Sequence, residues 1–364
     1  MRREHETLIS GASALPLTSG LTPLACSAGA TAGLPSSAGA ALPDSRRAFL
    51  KSAIVGAGAL AFSTRLTARA ADPQPTDTTS LDPKLGPLVD IHTHLGQTWN
   101  RTQVLTAADL LRWMDAHHVA QAIVLPLVNP EASSFPLTTD FVLEQTRPHR
   151  DRLIPFCAID PRASYSDGQA GMVAMLKRYQ AAGARGFGEH KPGLAIDDPR
   201  SEVIYRACGE LKLPVLFHLD NERNLDKPGL PGLDKMLTAC PDTIFIGHGP
   251  GWWASISGGL TAADLARYPR GPVQPGGAID ALMDKHPNLY GDLSAGSGAG
   301  AIERDLEFGR EFLVRRADRL LFGTDYLSPG QAVPQFDLLA GIDLPADVRA
   351  KIYRDNARRL LGLA

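Results

Sequence analysis

The segment VDIHTHLG, residues 89–96, decides how the rest of the chain is interpreted. It has the pattern of a short apolar strand that ends in two histidines one residue apart and is followed by a turn. Side chains alternate between the faces of a strand, so His92 and His94 are expected on one face, about 7 Å apart along the strand. Two imidazoles on one rigid face are suitable ligands for a shared metal ion. Such pairs also occur by chance, so the meaning of this one depends on the other strands.

The composition is that of an ordinary globular enzyme. The 364 residues are 44% hydrophobic and 21% charged, and the net charge of −2 argues against nucleic acid or an anionic membrane as the main partner. The cysteines include no CxxC pair, so the sequence offers neither a disulfide framework nor a thiolate zinc site. We expect buried thiols. Disulfide bonds among the last three cysteines are the alternative. The cysteines are Cys26, Cys157, Cys208 and Cys240.

The first 70 residues have the features of an export leader. Residues 1–44 are rich in Ala, Gly, Ser, Pro and Leu and are expected to be disordered. The motif SRRAFLK at 45–51 and the apolar run 53–62, too short for a membrane span, resemble a twin-arginine signal. A basic linker beside a chance apolar run is the alternative. With cleavage near Ala70, the sequence predicts a periplasmic or secreted protein, carried by the twin-arginine machinery and without a membrane span of its own.

After a linker at 71–86, residues 87–364 alternate between apolar strand-like runs and amphipathic segments. This alternation predicts a parallel sheet covered by helices, and eight such units match a closed (β/α)8 TIM barrel of one domain. A doubly wound open sheet is the alternative, but no glycine-rich dinucleotide turn follows the first strand. We expect strands at 88–94, 121–127, 153–159, 184–190, 214–219, 243–248, 288–294 and 319–325. We expect helices at 107–118, 138–147, 167–182, 201–212, 230–239, 278–286, 302–315 and 345–361.

Polar side chains follow five of the predicted strands at their carboxyl ends. In a TIM barrel these ends form the rim that carries the chemistry. One strand-end histidine is most simply a hydrogen-bonded structural residue, but five polar sets on one rim are not explained by independent structural roles. The sets are His92 and His94 after the first strand, Glu189, His190 and Lys191 after the fourth, His218 after the fifth, His248 after the sixth and Asp325 after the eighth.

These side chains predict a metal site. Imidazoles and carboxylates are ligands for Zn²⁺, Mn²⁺ or Fe²⁺, and the absence of thiolates disfavours a structural zinc site. An ion held by His92, His94, His218 and Asp325 would leave room for a water, whose pKa such an ion lowers toward ~7.

As a set, the motifs resemble the amidohydrolase superfamily, in particular the amidohydrolase-related branch that also holds decarboxylases and lactonases. The resemblance covers residues 88 to the C-terminus. It rests on DIHTH at 90–94, on His218 and His248, on GTD at 323–325 and on YRDNARRLL at 353–361.

The resemblance implies a role for each matching residue. His92, His94 and His218 would be metal ligands, and Asp325 would contact the metal and accept a proton from the attacking water. His248 would bind a second metal, or act on the substrate as an acid or electrostatic stabiliser.

The chain departs from this pattern after the fourth strand. Many relatives carry a bridging carboxylated lysine there, whereas this chain offers Glu189 and Lys191, which alternation places on one face with His190 opposite. We favour Glu189 as a direct metal ligand. The alternatives are that a modified Lys191 binds the metal, or that neither residue contacts it. We therefore expect one or two divalent ions, with zinc first and manganese or iron as alternatives.

Three residues are candidates for binding substrate. Arg101 follows the first strand, where an arginine could bind a substrate carboxylate, and a solvated loop arginine is the simpler alternative. Trp252 and Trp253 follow GHGPG at 247–251 and are expected to wall the pocket, with core packing as the alternative.

The leading functional hypothesis is a metal-dependent hydrolase that attacks a carbonyl of a small ester, lactone or amide. The second is a metal-dependent non-oxidative decarboxylase of an aromatic or enoic acid, which the same ligands would serve. The third is an exported barrel that only binds a metal or small ligand. A homodimer is the default expectation for the assembly.

Overall fold

The computed structural model describes residues 87–98, 101–163, 168–268 and 270–363. The leader and the linker predicted at 1–70 and 71–86 lie outside the described residues. The described residues belong to one compact unit. Within them, no helix has the length and apolar character needed to span a membrane.

Eight parallel strands form the centre of the fold, and a short two-stranded sheet, β5 with β7, lies beside them. The barrel strands pair in the orders β1-β2-β3 and β4-β6-β8-β9-β10. Parallel bridges from Cys157 to Phe187 and from Thr93 to Tyr326 join these two sets into a closed barrel, which confirms the predicted TIM-barrel fold. The strands are β1 Leu88–Thr93, β2 Val119–Val124, β3 Leu153–Pro155, β4 Phe187–His190, β5 Leu194–Ala195, β6 Val215–His218, β7 Asn224–Leu225, β8 Phe245–His248, β9 Leu289–Asp292 and β10 Leu320–Leu321.

Helices cover the outside of the barrel and bury an apolar layer against it. A second, smaller apolar cluster includes Val89, Ile91, Leu216 and Ile246 from the strands. The helices are α1 Ala107–Ala116, α2 Thr139–Thr146, α3 Gly168–Ala181, α4 Pro199–Leu211, α5 Pro231–Ala239, α6 Pro250–Ala254, α7 Ala278–Lys285, α8 Ala295–Glu303, α9 Leu306–Arg315, α10 Pro334–Gly341, α11 Ala346–Ala350 and α12 Asn356–Leu361.

The last strand and the helix before it differ from their predicted extents. The strand predicted at 319–325 ends at Leu321, because the Phe322 N–H donates to the Ile352 carbonyl and Asp325 has a left-handed φ of 55°. The helix predicted at 302–315 begins only at Leu306, where the Asp305 side chain accepts from Phe308 N. Helix α8, which precedes it, was not predicted because its small residues carry no amphipathic pattern.

Bulges in β1 and β4 decide where the site side chains point. Between Asp90 and Thr93, β1 advances three residues while β2 advances two, and β4 has the same irregularity between Phe187 and His190. An extra residue breaks the simple alternation of faces and re-aims the side chains that follow. Bulges therefore lie in the two strands that carry His92, His94 and Glu189.

The C-terminal segment holds the last strand in place. The Asn356 side-chain amide, fully buried, donates to the carbonyl oxygens of Ala317 and Leu320 at 2.6 and 2.8 Å. A single turn of π-helix, Lys351–Asp355, precedes it and supplies the Ile352 carbonyl that accepts from Phe322. Residues 352–356 thus fix the position of β10 and of the residue that follows it.

The three described cysteines, Cys157, Cys208 and Cys240, are buried free thiols, as expected. Burial raises the pKa of Cys157 to about 12, so this thiol stays protonated and unreactive at neutral pH.

Candidate metal centre and active site

His92 and His94 present their Nε2 atoms to one point at the carboxyl end of β1. The Nδ1 atom of His94 donates to the Leu125 carbonyl at 2.9 Å, and that of His92 donates to Asp292 Oδ2 at 2.7 Å. Because both Nδ1 atoms carry a proton, each neutral ring has its lone pair on Nε2. The two Nε2 atoms are only 3.1 Å apart, and both side chains are fully buried.

Two carboxylates complete this cluster. Asp325 Oδ1 lies 3.4 and 3.5 Å from Nε2 of His92 and His94, and Glu189 Oε2 lies 3.7 and 3.5 Å from the same atoms. Burial alone would lower the pKa of His92, but the carboxylates of Asp325, Asp292 and Glu189 raise it well above its usual value. The cluster therefore favours a positive charge at this point.

A divalent ion fits this donor set. Two lone pairs 3.1 Å apart beside two carboxylates are unfavourable unless a cation or a proton lies between them. Among the described residues, two groups of side chains have ligand atoms close enough together to hold an ion, and both groups include His92. One group is His92, His94 and Asp325, and the other is His92, Glu189 and His248.

Asp292 and Ser294 orient the ring of His248. Ser294 Oγ donates to Asp292 Oδ2 at 2.8 Å, and the same hydroxyl oxygen accepts from His248 Nδ1 at 2.9 Å. The same Asp292 oxygen is 3.2 Å from His248 Nδ1, so one carboxylate holds both His92 and His248. Burial and the nearby His92 lower the pKa of His248, which therefore presents a neutral Nε2.

Glu189 and Lys191 form a buried ion pair, with Lys191 Nζ 2.6 Å from Glu189 Oε2. Although burial would raise the pKa of Glu189, the charges of Lys191 and His92 lower it well below its usual range. His190 lies on the other side of β4, where its Nε2 is 3.1 Å from the Ser201 hydroxyl of α4. Lys191 is thus a direct ionic partner of Glu189.

His218 lies next to the two ligand groups and belongs to neither, so its role as a metal ligand stays a prediction. Its Nδ1 is 3.0 Å from Glu189 Oε1, and its Nε2 is 2.9 Å from Asp220 Oδ2. Both ring nitrogens therefore face carboxylates. Asp220, two residues further along the chain, contacts Nε2, so Nδ1 is the nitrogen that faces Glu189 and the cluster.

A cavity of about 240 Å³ opens beside the cluster at the carboxyl ends of the strands. Asp325 reaches it with a side chain that is 15% exposed, the most exposed of the cluster. The lining residues are His218, Asp220, Asn221, Glu222, Arg223, His248, Pro250, Ala266, Tyr268, Ala295, Ser297 and Asp325.

The structure corrects the predictions for the two tryptophans. Trp252 and Trp253 are completely buried in the apolar layer and do not line the cavity. The Trp253 indole N–H donates to the Asp292 carbonyl at 2.9 Å. Trp252 packs onto Gly247, where an added Cβ would lie 2.4 Å from its ring. Both indoles therefore stabilise the core behind the site.

Arg101 is exposed and does not line the cavity either. Its N–H donates to the Thr98 carbonyl at 3.0 Å, and its own carbonyl accepts from Gln97 Nε2 at 2.7 Å. The structure thus gives its backbone a turn-forming role and does not support substrate binding by its guanidinium.

Three residues of the site were missed in the sequence. Asp220 follows His218 by two positions, and Ser294 follows Asp292 by two, so each could have been recognised as a polar neighbour of a strand-end residue. Tyr268 had no such signal. It lies outside the strands and helices, and only the fold brings it to the cavity.

A TIM barrel with imidazoles and carboxylates grouped at the carboxyl ends of its strands belongs to the class of barrel enzymes suited to a divalent metal. Within that class, the chain is a member of the amidohydrolase family: the family model described as Amidohydrolase matches residues 89–363. No curated protein matches the chain with significant similarity.

Solved structures share the fold at low sequence identity. An uncharacterised TIM-barrel protein from Bordetella bronchiseptica is 16% identical, with a TM-score of 0.54 over 76% of this chain and 99% of its own. A 5-carboxyvanillate decarboxylase mutant from Novosphingobium aromaticivorans, with bound manganese and a nitrobenzoic acid, is 15% identical (TM-score 0.51, 77% and 99%). A probable 2-pyrone-4,6-dicarboxylic acid hydrolase from Acinetobacter baumannii is also 15% identical (0.50, 76% and 99%). The structural neighbours thus include both hydrolases and decarboxylases.

Proposed function

We propose that the protein is a metal-dependent hydrolase that attacks the carbonyl carbon of a small ester, lactone or amide. The position of Asp325 carries this proposal. Its carboxylate lies within 3.5 Å of Nε2 of both His92 and His94, and it also lines the cavity. One carboxylate therefore belongs both to the group that could hold an ion and to the space where a small molecule would react.

The residues of the cluster have separate chemical roles in this hydrolysis. A divalent ion held by His92, His94 and Asp325 would supply Lewis-acid polarisation and an acidified water, with zinc suited to these ligands and manganese the alternative. Asp325 accepts the proton of the attacking water and returns it to the leaving group. His248, with Nδ1 committed to Ser294, accepts a hydrogen bond at Nε2 in the same space.

Non-oxidative decarboxylation of an aromatic or enoic acid is the second candidate. The observation that favours it is the guanidinium of Arg223 in the cavity wall, because arginine is well suited to binding a carboxylate. A fold relative that carries manganese and a substituted benzoic acid is consistent with it. A barrel that only binds a ligand is the third candidate, and metal-dependent turnover would contradict it.

Metal removal and return test the proposal. The protein purified with its native metal is assayed on panels of esters, lactones and amides, and for release of CO2 from aromatic acids. Hydrolysis that falls to background after chelation and returns with Zn²⁺ or Mn²⁺ is the expected result. Metal-dependent CO2 release without hydrolysis of any substrate in the panels would replace the first candidate by the second.

His94→Ala should weaken metal binding by about 100-fold or more. The change removes an Nε2 donor at the centre of the cluster, and even loss of a partner that only supports a ligand costs about 10–100-fold. Chelator competition measures the affinity without any activity assay. His149→Ala, at a half-buried histidine remote from the cluster in sequence, serves as the control and should leave affinity unchanged. Equal metal affinity in both variants would contradict the assignment.

We also propose that the chain is exported through the twin-arginine pathway. The support is the sequence SRRAFLK at 45–51 before the apolar run 53–62. Cell fractionation should find the protein in the periplasm or medium, and Arg46→Lys with Arg47→Lys should retain it in the cytoplasm. The chain offers a matched control pair, Arg2→Lys with Arg3→Lys, which should leave export intact. Export of both double variants alike would disprove the signal.

A further inference from the structure

We propose that the protein has a second ligand site, at the opposite end of the barrel from the metal cluster, for a small molecule that joins an anionic group to an apolar body. The site is a cavity of about 800 Å³, within the range of about 300–1,000 Å³ typical of small-molecule sites. It shares no lining residue with the cavity beside Asp325. The proposal therefore does not depend on the hydrolysis proposed above.

The cavity lies at the amino ends of the barrel strands. In its lining, Arg150 precedes β3, residues 183–185 precede β4, and residues 212–213 precede β6. His218 and His248 instead end β6 and β8. Because these strands are parallel, their amino ends meet at one end of the barrel and their carboxyl ends at the other. A ligand in this cavity would not contact the metal cluster.

The lining has an excess of positive charge. Arg150, Arg185 and Lys212 line the cavity, and Asp151 is the one carboxylate among the lining residues. This local excess contrasts with the net charge of −2 on the whole chain. Lys212 Nζ is 3.4 Å from Asp242, but the two side chains are 73% and 79% exposed, so water screens their attraction. The cavity would therefore attract an anion.

Arg150 is fixed in position but is not fully satisfied by the protein. Its Nη2 donates to the carbonyl oxygens of Ala182 and Leu143 at 2.8 and 3.4 Å. Its guanidinium lies over Gly183, where an added Cβ would be 1.5 Å from Nη1. The buried Nε has no hydrogen-bond partner among the described residues. Carbonyl oxygens leave the charge of this guanidinium uncompensated, and an anion would compensate it.

Neighbouring arginines repel one another at this end of the barrel. Burial lowers the pKa of Arg150, and the charges of Arg147 and Arg185 lower it further. Arg147 begins the 3-10 turn that ends one residue before Arg150. Like charges held this close are unfavourable unless an opposite charge lies near them. A bound anion would relieve the repulsion.

The rest of the lining supplies an apolar floor. Ile154 of β3 and Leu361 are buried members of the smaller apolar cluster, and Leu360 and Leu363 pack against that cluster while only partly buried. Leu213, which is 2% exposed, adds to this surface. An apolar body would bury the surface that Leu360 and Leu363 still expose. The charges and the floor together favour an amphipathic anion over an inorganic ion.

Octane-1-sulfonate and octane-1-sulfonamide are matched probes, because they share a chain and differ in charge. Their binding to the full chain is measured by ligand-observed NMR titration below the concentration at which micelles form. Arg185→Gln with Lys212→Gln should weaken sulfonate binding by about tenfold or more and sulfonamide binding by less than about twofold. Arg150 is left in place because it also binds two carbonyl oxygens.

A second variant tests the apolar floor. Leu363→Ser removes a partly buried side chain from the lining and should weaken both probes by about threefold or more. Equal affinity of both probes for this variant and the parent would contradict an apolar body in the site.

Arg200→Gln with Lys235→Gln is the matched control. It removes the same charge from two exposed side chains that pair with Asp198 and Asp197 and do not line the cavity. Both probes should bind this control as they bind the parent. Thermal unfolding, measured on every variant without ligand, identifies any that fail to fold. For such a variant, Arg185→Gln alone replaces the double change and should give a smaller, still selective loss.

The outcomes separate this site from the proposed function. A selective loss for the sulfonate supports the site with or without hydrolytic activity. Equal losses for the two probes in the cavity variant, or no loss for the sulfonate, would overturn it. Sulfonate binding that disappears on chelation would place the anion at the metal cluster and also overturns it. Sedimentation with phosphatidylglycerol vesicles that requires Arg185 and Lys212, without binding of the soluble sulfonate, would assign these cations to a membrane surface instead.

Discussion

Asp325→Asn should lower kcat by about 10²–10⁴-fold, because an amide cannot accept the proton that the carboxylate takes from water. Asparagine is the appropriate substitution: Asp325 has a φ of 55°, and asparagine adopts this left-handed backbone at a lower cost than alanine. The variant should also bind the ion more weakly, since the same carboxylate lies in the group with His92 and His94. Steady-state rates at saturating metal separate the two effects.

The control for this experiment is Asp226→Asn. Asp226 is a largely buried carboxylate that accepts the N–H groups of Gly232 and Leu233 and does not line the cavity. Its replacement should reduce stability and leave kcat at saturating metal unchanged. If Asp325→Asn turns over at the rate of the parent, Asp325 is not the proton acceptor.

Asp90→Ala should lower the free energy of unfolding by about 3 kcal/mol or more. Asp90 is fully buried and accepts from His92 N at 3.0 Å and from the backbone N–H and hydroxyl of Thr324 at 3.0 and 2.6 Å. Alanine would leave three donors unsatisfied, and each buried unsatisfied group costs about 1–3 kcal/mol. Burial raises the pKa of Asp90 to about 7, while the hydrogen bonds from Thr324 and His92 act in the opposite direction and lower it.

Urea unfolding of the parent and the variant measures this loss. Thr324→Val is the matched control, because it removes the shortest of the three bonds, together with the acceptor of Tyr326 N, and retains the backbone donors to Asp90. It should cost less than half as much as Asp90→Ala. Equal costs would mean that the Thr324 hydroxyl alone holds the contact. A loss below 1 kcal/mol for Asp90→Ala would contradict its role in joining β1 to the chain after β10.

The barrel could be predicted from sequence because its signals are local. Each strand is an apolar run and each long helix has an amphipathic period, and these patterns come from residues near one another in the chain. Each of the eight barrel strands overlaps the range predicted for it. Helices α6, α8 and α10 were missed. Helix α6 is short, α8 is built from small residues, and α10 has only a weak amphipathic pattern, so none of them has a clear period to detect.

The site was predictable only in part. His92, His94, Glu189, His248 and Asp325 were expected together because the carboxyl ends of parallel strands share one rim. The predicted position of the two tryptophans in the pocket wall was wrong, because an aromatic pair has the same sequence whether it faces a pocket or the core. Burial is a property of the packed fold and is decided by neighbours such as Gly247.

Local sequence patterns were thus sufficient to predict the barrel, the family resemblance and the strand ends that carry imidazoles and carboxylates. The tertiary structure decided which nitrogen of each histidine faces the cluster, because that depends on acceptors as distant in sequence as Asp292, 200 residues from His92. It also placed Arg223 and Tyr268 on one cavity through loops whose paths carry no sequence period. In residues 90–94, the sequence DIHTH supplied the two histidines. The bulge in β1 and the Leu125 and Asp292 acceptors directed their Nε2 atoms to one point.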